Sequence, residues 1–254
     1  MDYRAADDCD QVSIVIANYN YGQYIGEALE SCIAQTYANI SLFIVDDAST
    51  DQSLDVIAGL RSACEARFAT FRLMTLEQNS GKVAALNKLL PLVRSKFHLI
   101  LDADDALSPD YVSTLVREFE SAEPFDPSLG FVYSDCELVS ADGASLSRGR
   151  SQAFDAELLR TKSYIPECAL TLTACLSAVL PMDETVKVGT KHHKWMRIVQ
   201  NAWVGRHCAW PGFRYRMHSS NLSGIGKRIT SQLSGDKERE PILSGYWPLE
   251  QSTL

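Results

Sequence analysis

Apolar residues in the first part of the chain form short runs separated by longer amphipathic segments. Val12–Ala17 and Leu42–Val45 are brief, β-branched runs typical of buried strands, and Phe71–Thr75 and Phe97–Leu101 repeat the pattern. Between the first two runs, Ile25–Ile33 has apolar residues at the i, i+3, i+4 and i+7 spacing of an amphipathic helix. This alternation of strands and helices predicts an α/β fold with a mostly parallel sheet and right-handed crossovers.

Acidic or polar residues follow three of the predicted strands, at Asn18, Asp47 and Asp102. Because the carboxyl ends of parallel strands meet at one sheet edge, where α/β proteins bind ligands, we expect these residues to lie close together. In an extended segment, Asp102 and Asp104 project to the same side, with the small Ala103 between them. Converging carboxylates repel each other unless a cation lies between them, and oxygen ligands suit Mg²⁺ or Mn²⁺. An acidic turn that caps the following helix would explain the same residues without a metal.

The third predicted strand leads into Asn79-Ser80-Gly81-Lys82 and then a helix over about 83–93. Gly81 permits a close approach of the backbone to a ligand, and the free amides at a helix start favour a phosphate. Lys82 would add positive charge to such a site. An ordinary turn is the alternative interpretation.

The strand and helix alternation changes after residue 105. The remaining expected elements are a helix over 109–120, a strand over 131–135, a hairpin turn at 142–143, an irregular loop over 144–168, a helix over 190–202 and a segment over 210–218 that leaves the core. We expect one domain over 1–224, with a nucleotide half over 1–105 and an acceptor half over 106–224. Residues 225–254 are interpreted as a carboxyl-terminal tail or lid.

Composition narrows the classes of partner. The 254-residue chain is 46% hydrophobic, and its formal charge of -8 argues against nucleic acid as a partner. The seven cysteines form no C-x-x-C pair and are expected to be reduced packing residues. The amino terminus does not resemble a signal peptide, and no apolar stretch is long enough to span a membrane. We expect a cytoplasmic protein, with peripheral contact at the inner face of a membrane left open.

Seven short motifs, in this order and spacing, resemble glycosyltransferase family 2, whose members have the GT-A fold. They are Val12–Asn20, Ser31–Tyr37, Ile44–Asp51, Asn79–Gly81 with Asn87, Leu101–Asp105, Tyr133–Asp135 and Tyr215–His218. The resemblance covers roughly residues 12 to 224. It implies a Rossmann-like GT-A domain that transfers a sugar, with inversion, from a nucleotide-sugar donor to a glycan or lipid-linked acceptor, as in surface polysaccharide biosynthesis.

The same resemblance implies roles for individual residues. Donor contacts would come from Ala17, Tyr19, Asp47, Lys82, Asp102 and Ala103. Tyr19 would lie against the base and Asp47 would hydrogen-bond to it, which favours a UDP-sugar. Asp104 would be the main ligand of Mn²⁺ or Mg²⁺, and His218 would be a further metal or phosphate contact. The reaction requires a group that neutralises the leaving diphosphate and a base that removes the proton of the acceptor hydroxyl.

The sequence departs from the family at the expected base. The family places a Glu-Asp pair where this chain has Thr190 and Lys191. A lysine at a helix start is also disfavoured by the helix dipole. His192 is one candidate replacement, because a helix start keeps an imidazole neutral. The other candidates are Asp135, Asp183 and Glu184.

Two further functions remain open at this point. A nucleotide-sugar-binding module without catalysis would explain the missing pair. Nucleotidyl transfer to a sugar phosphate uses a related architecture, but Asn18–Gly22 lacks the glycine-rich basic loop expected there.

Overall fold

The first half of the chain forms a four-stranded parallel sheet in the computed structural model, which describes residues 11–186, 189–219 and 221. The strands are β1 (Val12–Asn18), β2 (Ile40–Asp46), β3 (Thr70–Thr75) and β4 (Phe97–Asp102), in the order β3-β2-β1-β4. The connecting helices are α1 (Ile25–Ile33), α2 (Ser53–Arg67) and α3 (Lys82–Leu89), with a short 3-10 helix at Leu90–Leu92. The predicted strand and helix alternation is confirmed.

The second half continues the same sheet with mixed strand directions. Its strands are β5 (Ala106–Leu107), β6 (Leu129–Val139), β7 (Ser145–Gly149), β8 (Leu170–Leu172) and β9 (Val204–Arg216). The order runs on from β4 as β8-β6-β9-β5, and β7 pairs with β6. The helices are α4 (Tyr111–Ala122), α5 (Ala156–Leu159) and α6 (Thr190–Gln200), with 3-10 helices at Glu123–Phe125 and Thr173–Ala178.

The strand register brings the polar strand ends together. Ala17 of β1 lies opposite Val45 of β2 on one side and Asp102 of β4 on the other. Asn18 lies opposite Asp46 at the next position. The loops that follow β1, β2 and β4 therefore start from one edge of the sheet, as ligand sites of α/β proteins require.

The two faces of β1 bury separate hydrophobic clusters. Ile14 packs in the cluster that contains Leu29 of α1, while Val15 packs in the cluster that contains Leu86 of α3 and Trp195 of α6. These side chains are at most 1% exposed. A strand covered on both faces explains why the sequence runs are continuously apolar instead of alternating.

Two segments are more regular than the sequence indicated. The interval 144–168, expected to be irregular, contains β7 and the one-turn helix α5. Residues 210–216 belong to β9, which pairs with β6 in parallel over ten positions and so stays in the sheet. Partner strands this far apart in sequence leave no local signal. The predicted tail over 225–254 lies outside the described residues.

The cysteines agree with the expectation of reduced packing residues. Six described cysteines are free, and five of them are buried. Among the described residues, no helix combines the length and apolar character needed to cross a membrane.

Candidate active site

An acidic cluster lies where β4 ends and the chain turns toward β5. Asp102, Asp104 and Asp105 each present a carboxylate oxygen, and the three oxygens lie within 4.8 Å of one another. Asp104 and Asp105 are buried, and Asp102 is partly exposed. Burial raises the pKa of Asp105, and the negative charges of Asp104 and Asp102 raise it further. Carboxylates held this closely favour a cation, and a divalent cation suits their oxygen ligands.

Lys82 provides positive charge at one side of the acidic cluster. It is the first residue of α3 and follows Gly81, whose φ of 89° is readily accessible only to glycine. Its Nζ atom forms an ion pair with Oδ1 of Asp102. Burial raises the pKa of Asp102, and the Lys82 charge opposes that effect. Two residues expected to contact the donor are thus adjacent in the structure.

His218 contacts the cluster at Asp104. Its Nε2 atom lies 2.9 Å from Oδ2 of Asp104, and the Asn221 amide donates to the same oxygen at 3.3 Å. The His218 ring centroid lies 4.8 Å from that of Tyr24. The structure therefore brings Asp104 and His218 together, and a carboxylate beside an imidazole suits a divalent cation. Metal binding by the two residues stays a prediction.

Arg216 anchors the turn that carries the cluster. Its backbone N–H donates to Oδ1 of Asp105 at 3.0 Å, and its Nε atom donates to the backbone carbonyl of Asp104 at 3.0 Å. The guanidinium also forms an ion pair with Glu27 of α1. The sequence analysis missed both Arg216 and Glu27. Arg216 lies inside the motif Tyr215–His218, which could have identified it.

The expected nucleotide contacts surround the ends of β1 and β2. Tyr19 is 42% exposed, so its ring is accessible for stacking. Asp47 is buried and already accepts three hydrogen bonds from the loop before α3. Ser80 donates from its N–H at 2.8 Å and its hydroxyl at 2.9 Å, and Gly81 donates from its N–H at 2.7 Å. Asp47 therefore holds that loop in place. Base recognition by Tyr19 and Asp47 stays a prediction.

Ala17 and Ala103, the small residues among the expected donor contacts, lie beside the cluster. Ala17 is the β1 residue opposite Asp102, and Ala103 is buried between Asp102 and Asp104. Their contact with a donor stays a prediction.

Asp135, one expected base, belongs to a different network. Nε2 of His207 lies 2.7 Å from its Oδ1 atom, and the Ser151 N–H donates to the same oxygen at 2.8 Å. Arg148 donates to Oδ2 at 3.2 Å. His207, Ser151 and Arg148 therefore hold the Asp135 carboxylate.

The other two carboxylates considered as bases lie near the loop before α6. Asp183 is exposed and accepts hydrogen bonds from Thr185. Glu184 is also exposed and accepts a hydrogen bond from Asn87 at 2.9 Å. No described contact joins either one to the acidic cluster.

The start of α6 presents cations to the site. Burial raises the pKa of Asp105, and the charge of Lys191 acts to lower it, so the charge of Lys191 influences the acidic cluster. Burial lowers the pKa of His192, and the charges of Lys191 and His193 lower it further. The Nδ1 atom of His192 is buried without a hydrogen-bond partner among the described residues. A base role for His192 stays a prediction.

Sequence analysis also missed a buried ion pair between Lys194 and Glu167. Nζ of Lys194 lies 2.7 Å from Oε1 of Glu167, and the side chains are 4% and 7% exposed. Burial acts to raise the pKa of Glu167, but the positive charges of Lys194 and Lys82 outweigh it and bring the pKa to about 2. From the sequence alone, a lysine and a glutamate are both expected to lie on the solvated surface. Their 27-residue separation leaves no local pattern.

Comparison with known proteins adds evidence that the geometry alone does not supply. A family model described as Glycosyl transferase family 2 matches residues 13–173. The Succinoglycan biosynthesis protein ExoO of Rhizobium meliloti is 28% identical over 142 residues, which cover 56% of this chain and 38% of that protein. Among eight curated relatives, the chain spans between 13% and 64% of the relative's length.

Two solved structures share the fold. S. aureus TarS 1-349 in complex with UDP-GlcNAc matches with a TM-score of 0.63 and 18% identity, over 92% of this chain and 70% of that chain. Mannosyltransferase PcManGT from Pyrobaculum calidifontis, in complex with GDP-Man and Mn²⁺, matches with a TM-score of 0.64 and 16% identity, over 95% and 70%. At these identities the likeness shows the fold, which is the GT-A fold expected from the sequence.

Proposed function

The chain belongs to glycosyl transferase family 2, and we propose that it moves a sugar from a nucleotide-sugar donor to a glycan or lipid-linked acceptor in polysaccharide biosynthesis. The observation that carries this proposal is the acidic cluster of Asp102, Asp104 and Asp105 beside Lys82 at the sheet edge. The name of the succinoglycan relative supports a polysaccharide product. A lipid-linked acceptor would bring the chain to the cytoplasmic face of a membrane.

We assign donor binding to residues 1–105 and acceptor binding to residues 106–224. The clustered carboxylates fit a divalent cation, because their three oxygen atoms lie within 4.8 Å of one another, and His218 contacts the cluster at Asp104. A bound Mn²⁺ or Mg²⁺ would neutralise the diphosphate during its departure. Lys82 would contribute to the same neutralisation by contacting a phosphate oxygen directly. The Mn²⁺ in the mannosyltransferase structure is consistent with this proposal.

We propose a uracil base because the Asp47 carboxylate can accept one further hydrogen bond. An ionised carboxylate offers about four lone-pair positions, and Asp47 uses three of them on Ser80 and Gly81. The remaining position can accept the single imide N–H of uracil while the exposed Tyr19 ring stacks on the base. The TarS structure, which contains UDP-GlcNAc, supports this choice.

Inversion at the sugar carbon follows if the acceptor hydroxyl attacks opposite the leaving diphosphate in one displacement. Such a step needs one group that removes the hydroxyl proton and no covalent sugar intermediate on the protein. The product would then have the anomeric configuration opposite to that of the donor.

A test of this function begins with binding and ends with product. Thermal shift with UDP-sugars and GDP-sugars should show stabilisation in Mn²⁺ that a chelator removes. A donor that binds should then be consumed in the presence of glycan or lipid-linked acceptors, and NMR of the product should show the inverted linkage. Absence of nucleotide binding in Mn²⁺ would contradict the proposal.

A binding module without catalysis is a second candidate, favoured by Lys191 at the start of α6. The family carboxylate expected at that position is absent, and the lysine cannot accept a proton while it is charged. This candidate predicts donor binding that depends on metal but no transfer or hydrolysis with any acceptor. Turnover above the rate without protein would exclude it.

A further inference from the structure

Glu167 forms a buried ion pair next to the proposed donor site. One carboxylate oxygen, Oε1, accepts a hydrogen bond from Lys194 at 2.7 Å. The other oxygen, Oε2, makes no hydrogen bond within the part of the chain that the structure describes. The loop before β8 thus carries a carboxylate with one oxygen left to contact a ligand.

Strand register directs Glu167 toward the acidic cluster. β4 and β8 pair antiparallel, with His98 opposite Thr171 and Phe97 opposite Leu172. Each step forward along β4 therefore corresponds to one step back from β8. Asp102 is four residues after His98, and Glu167 is four residues before Thr171 in the turn that precedes β8, so both lie toward the same end of this strand pair.

The charges agree with this geometry. Burial is the largest influence that raises the pKa of Asp102. Among the charged neighbours that raise it, Glu167 comes first, ahead of Asp104. Glu167 also acts on Lys82, the residue that forms the ion pair with Asp102. The cations of Lys194 and Lys82 keep Glu167 ionised, which is the form that accepts a proton.

Other candidate carboxylates do not share this placement. The Asp135 carboxylate is already held by His207, Ser151 and Arg148. Asp183 and Glu184 are exposed and hydrogen-bonded elsewhere. Glu167 lies outside the acidic cluster, and its charge acts on both Asp102 and Lys82.

We propose that Glu167 is the catalytic carboxylate that receives the proton of the acceptor hydroxyl. This inference rests on the proposed glycosyl transfer. Relative to the family pattern, the carboxylate has moved from the start of α6 to the loop before β8, and α6 now supplies Lys191 and Lys194.

The acceptor oxygen forms a bond to the anomeric carbon, the bond from that carbon to the donor phosphate breaks, and its electron pair leaves with the diphosphate. The hydroxyl proton passes to Oε2 of Glu167 and is later released to water. That proton becomes strongly acidic as the new bond forms, so a carboxylate kept ionised by lysines is a sufficient base.

The experiment must separate catalysis from the structural role of a buried ion pair. Removing one partner alone leaves a buried charge without its counterion, whereas replacing both with apolar residues of similar volume is often neutral for folding. The variants are therefore Glu167→Gln and the double variant Glu167→Leu with Lys194→Met. Glu157→Gln, an exposed change in α5, is the matched control.

Both test variants should bind the UDP-sugar in Mn²⁺ with an affinity like that of the parent, and kcat should fall by about a hundredfold or more. Glu157→Gln should leave kcat unchanged. If the double variant keeps the turnover of the parent, the ion pair is structural and the inference about Glu167 is wrong, whereas the proposed function still stands. Loss of donor binding in a folded double variant would also overturn the inference about Glu167. If the parent transfers no sugar from any donor, the proposed function and this inference both fail.

Discussion

The ammonium group of Lys82 forms an ion pair with the carboxylate of Asp102, so the first residue of α3 neutralises the last residue of β4. Both side chains are partly exposed at the sheet edge. The same carboxylate is within the cluster that suits a divalent cation. In the proposed function, Lys82 and a metal ion would compete for Asp102, and the donor diphosphate would offer Lys82 a second anionic partner.

The Lys82→Met variant tests this competition. We expect Mn²⁺ alone to bind more tightly, because the ammonium no longer occupies Asp102. The affinity for UDP in Mn²⁺ should fall by about tenfold, or about 1.4 kcal/mol, through loss of a phosphate contact. Isothermal titration calorimetry measures both constants. Lys88→Met, an exposed change in the same helix, is the control, and equal constants for the parent and Lys82→Met would contradict the expectation.

The Asp104→Asn variant tests the metal site. Loss of one carboxylate from the cluster should weaken Mn²⁺ binding, and UDP binding should no longer respond to a chelator. After this change the cluster carries less negative charge and repels the nucleotide less, so some metal-independent binding of UDP is expected. Titration of UDP in Mn²⁺ and in chelator gives the comparison, with the exposed Asp55→Asn as control. Unchanged metal dependence would remove Asp104 from the site.

Tyr19→Ala tests recognition of the base. Stacking of a base on an aromatic ring contributes about 1 to 3 kcal/mol, so UDP affinity should fall at least about fivefold. Folding stability should be unaffected, because the ring is 42% exposed. Phe125→Ala removes another exposed aromatic ring, distant in sequence from the site, and should leave UDP affinity unchanged. An equal affinity for Tyr19→Ala and the parent would count against stacking.

His192→Ala tests the base predicted from the sequence against Glu167. If Glu167 accepts the proton, turnover should stay within about twofold of the parent, because removal of a true general base costs about a hundredfold or more. Lys191→Asp offers the complementary measurement, since a carboxylate restored at the family position should preserve or raise turnover. A hundredfold loss in His192→Ala, with donor binding intact, would return the role to the histidine.

The buried side chain of His98 should make the free energy of unfolding depend on pH. Burial lowers the pKa of His98 to about 3, and the positive charge of Lys194 contributes to the same shift. The unfolded chain binds this proton at about pH 6.5. The folded state should therefore lose stability as the pH falls from about 6.5 to about 3, by about 1.4 kcal/mol per pH unit from this group, and the group has no effect above that range.

Urea unfolding between pH 7 and pH 4 measures the slope. His98→Leu should flatten it, because the buried group that resists protonation is gone and its Nδ1 atom has no hydrogen-bond partner among the described residues. His193→Gln in α6 is the control and should retain the slope of the parent. Identical slopes for the parent and His98→Leu would show that other groups determine the acid response.

The sequence alone determined the strands that form the sheet edge and the residues at their ends. Val12–Ala17 and Phe97–Leu101 are continuously apolar, and such runs identify doubly covered strands without knowledge of their partners. The extended geometry expected for Asp102-Ala103-Asp104 is wrong, because β4 ends at Asp102 and a turn follows, and it is this turn that brings the carboxylates together. Continuous burial is a local property of a strand, so it is readable from a short segment.

Only the tertiary structure decided which charges meet. Glu167 pairs with Lys194 across 27 residues, and Arg216 reaches Glu27 across 189. β9 likewise became a strand through its pairing with β6 instead of ending the core. A lysine or glutamate in a sequence is expected to be solvated, and it is buried only when the fold supplies a counterion from a distant segment. That condition depends on the packing of the whole chain, and for this reason the sequence pointed to His192 and Asp135 while the structure drew attention to Glu167.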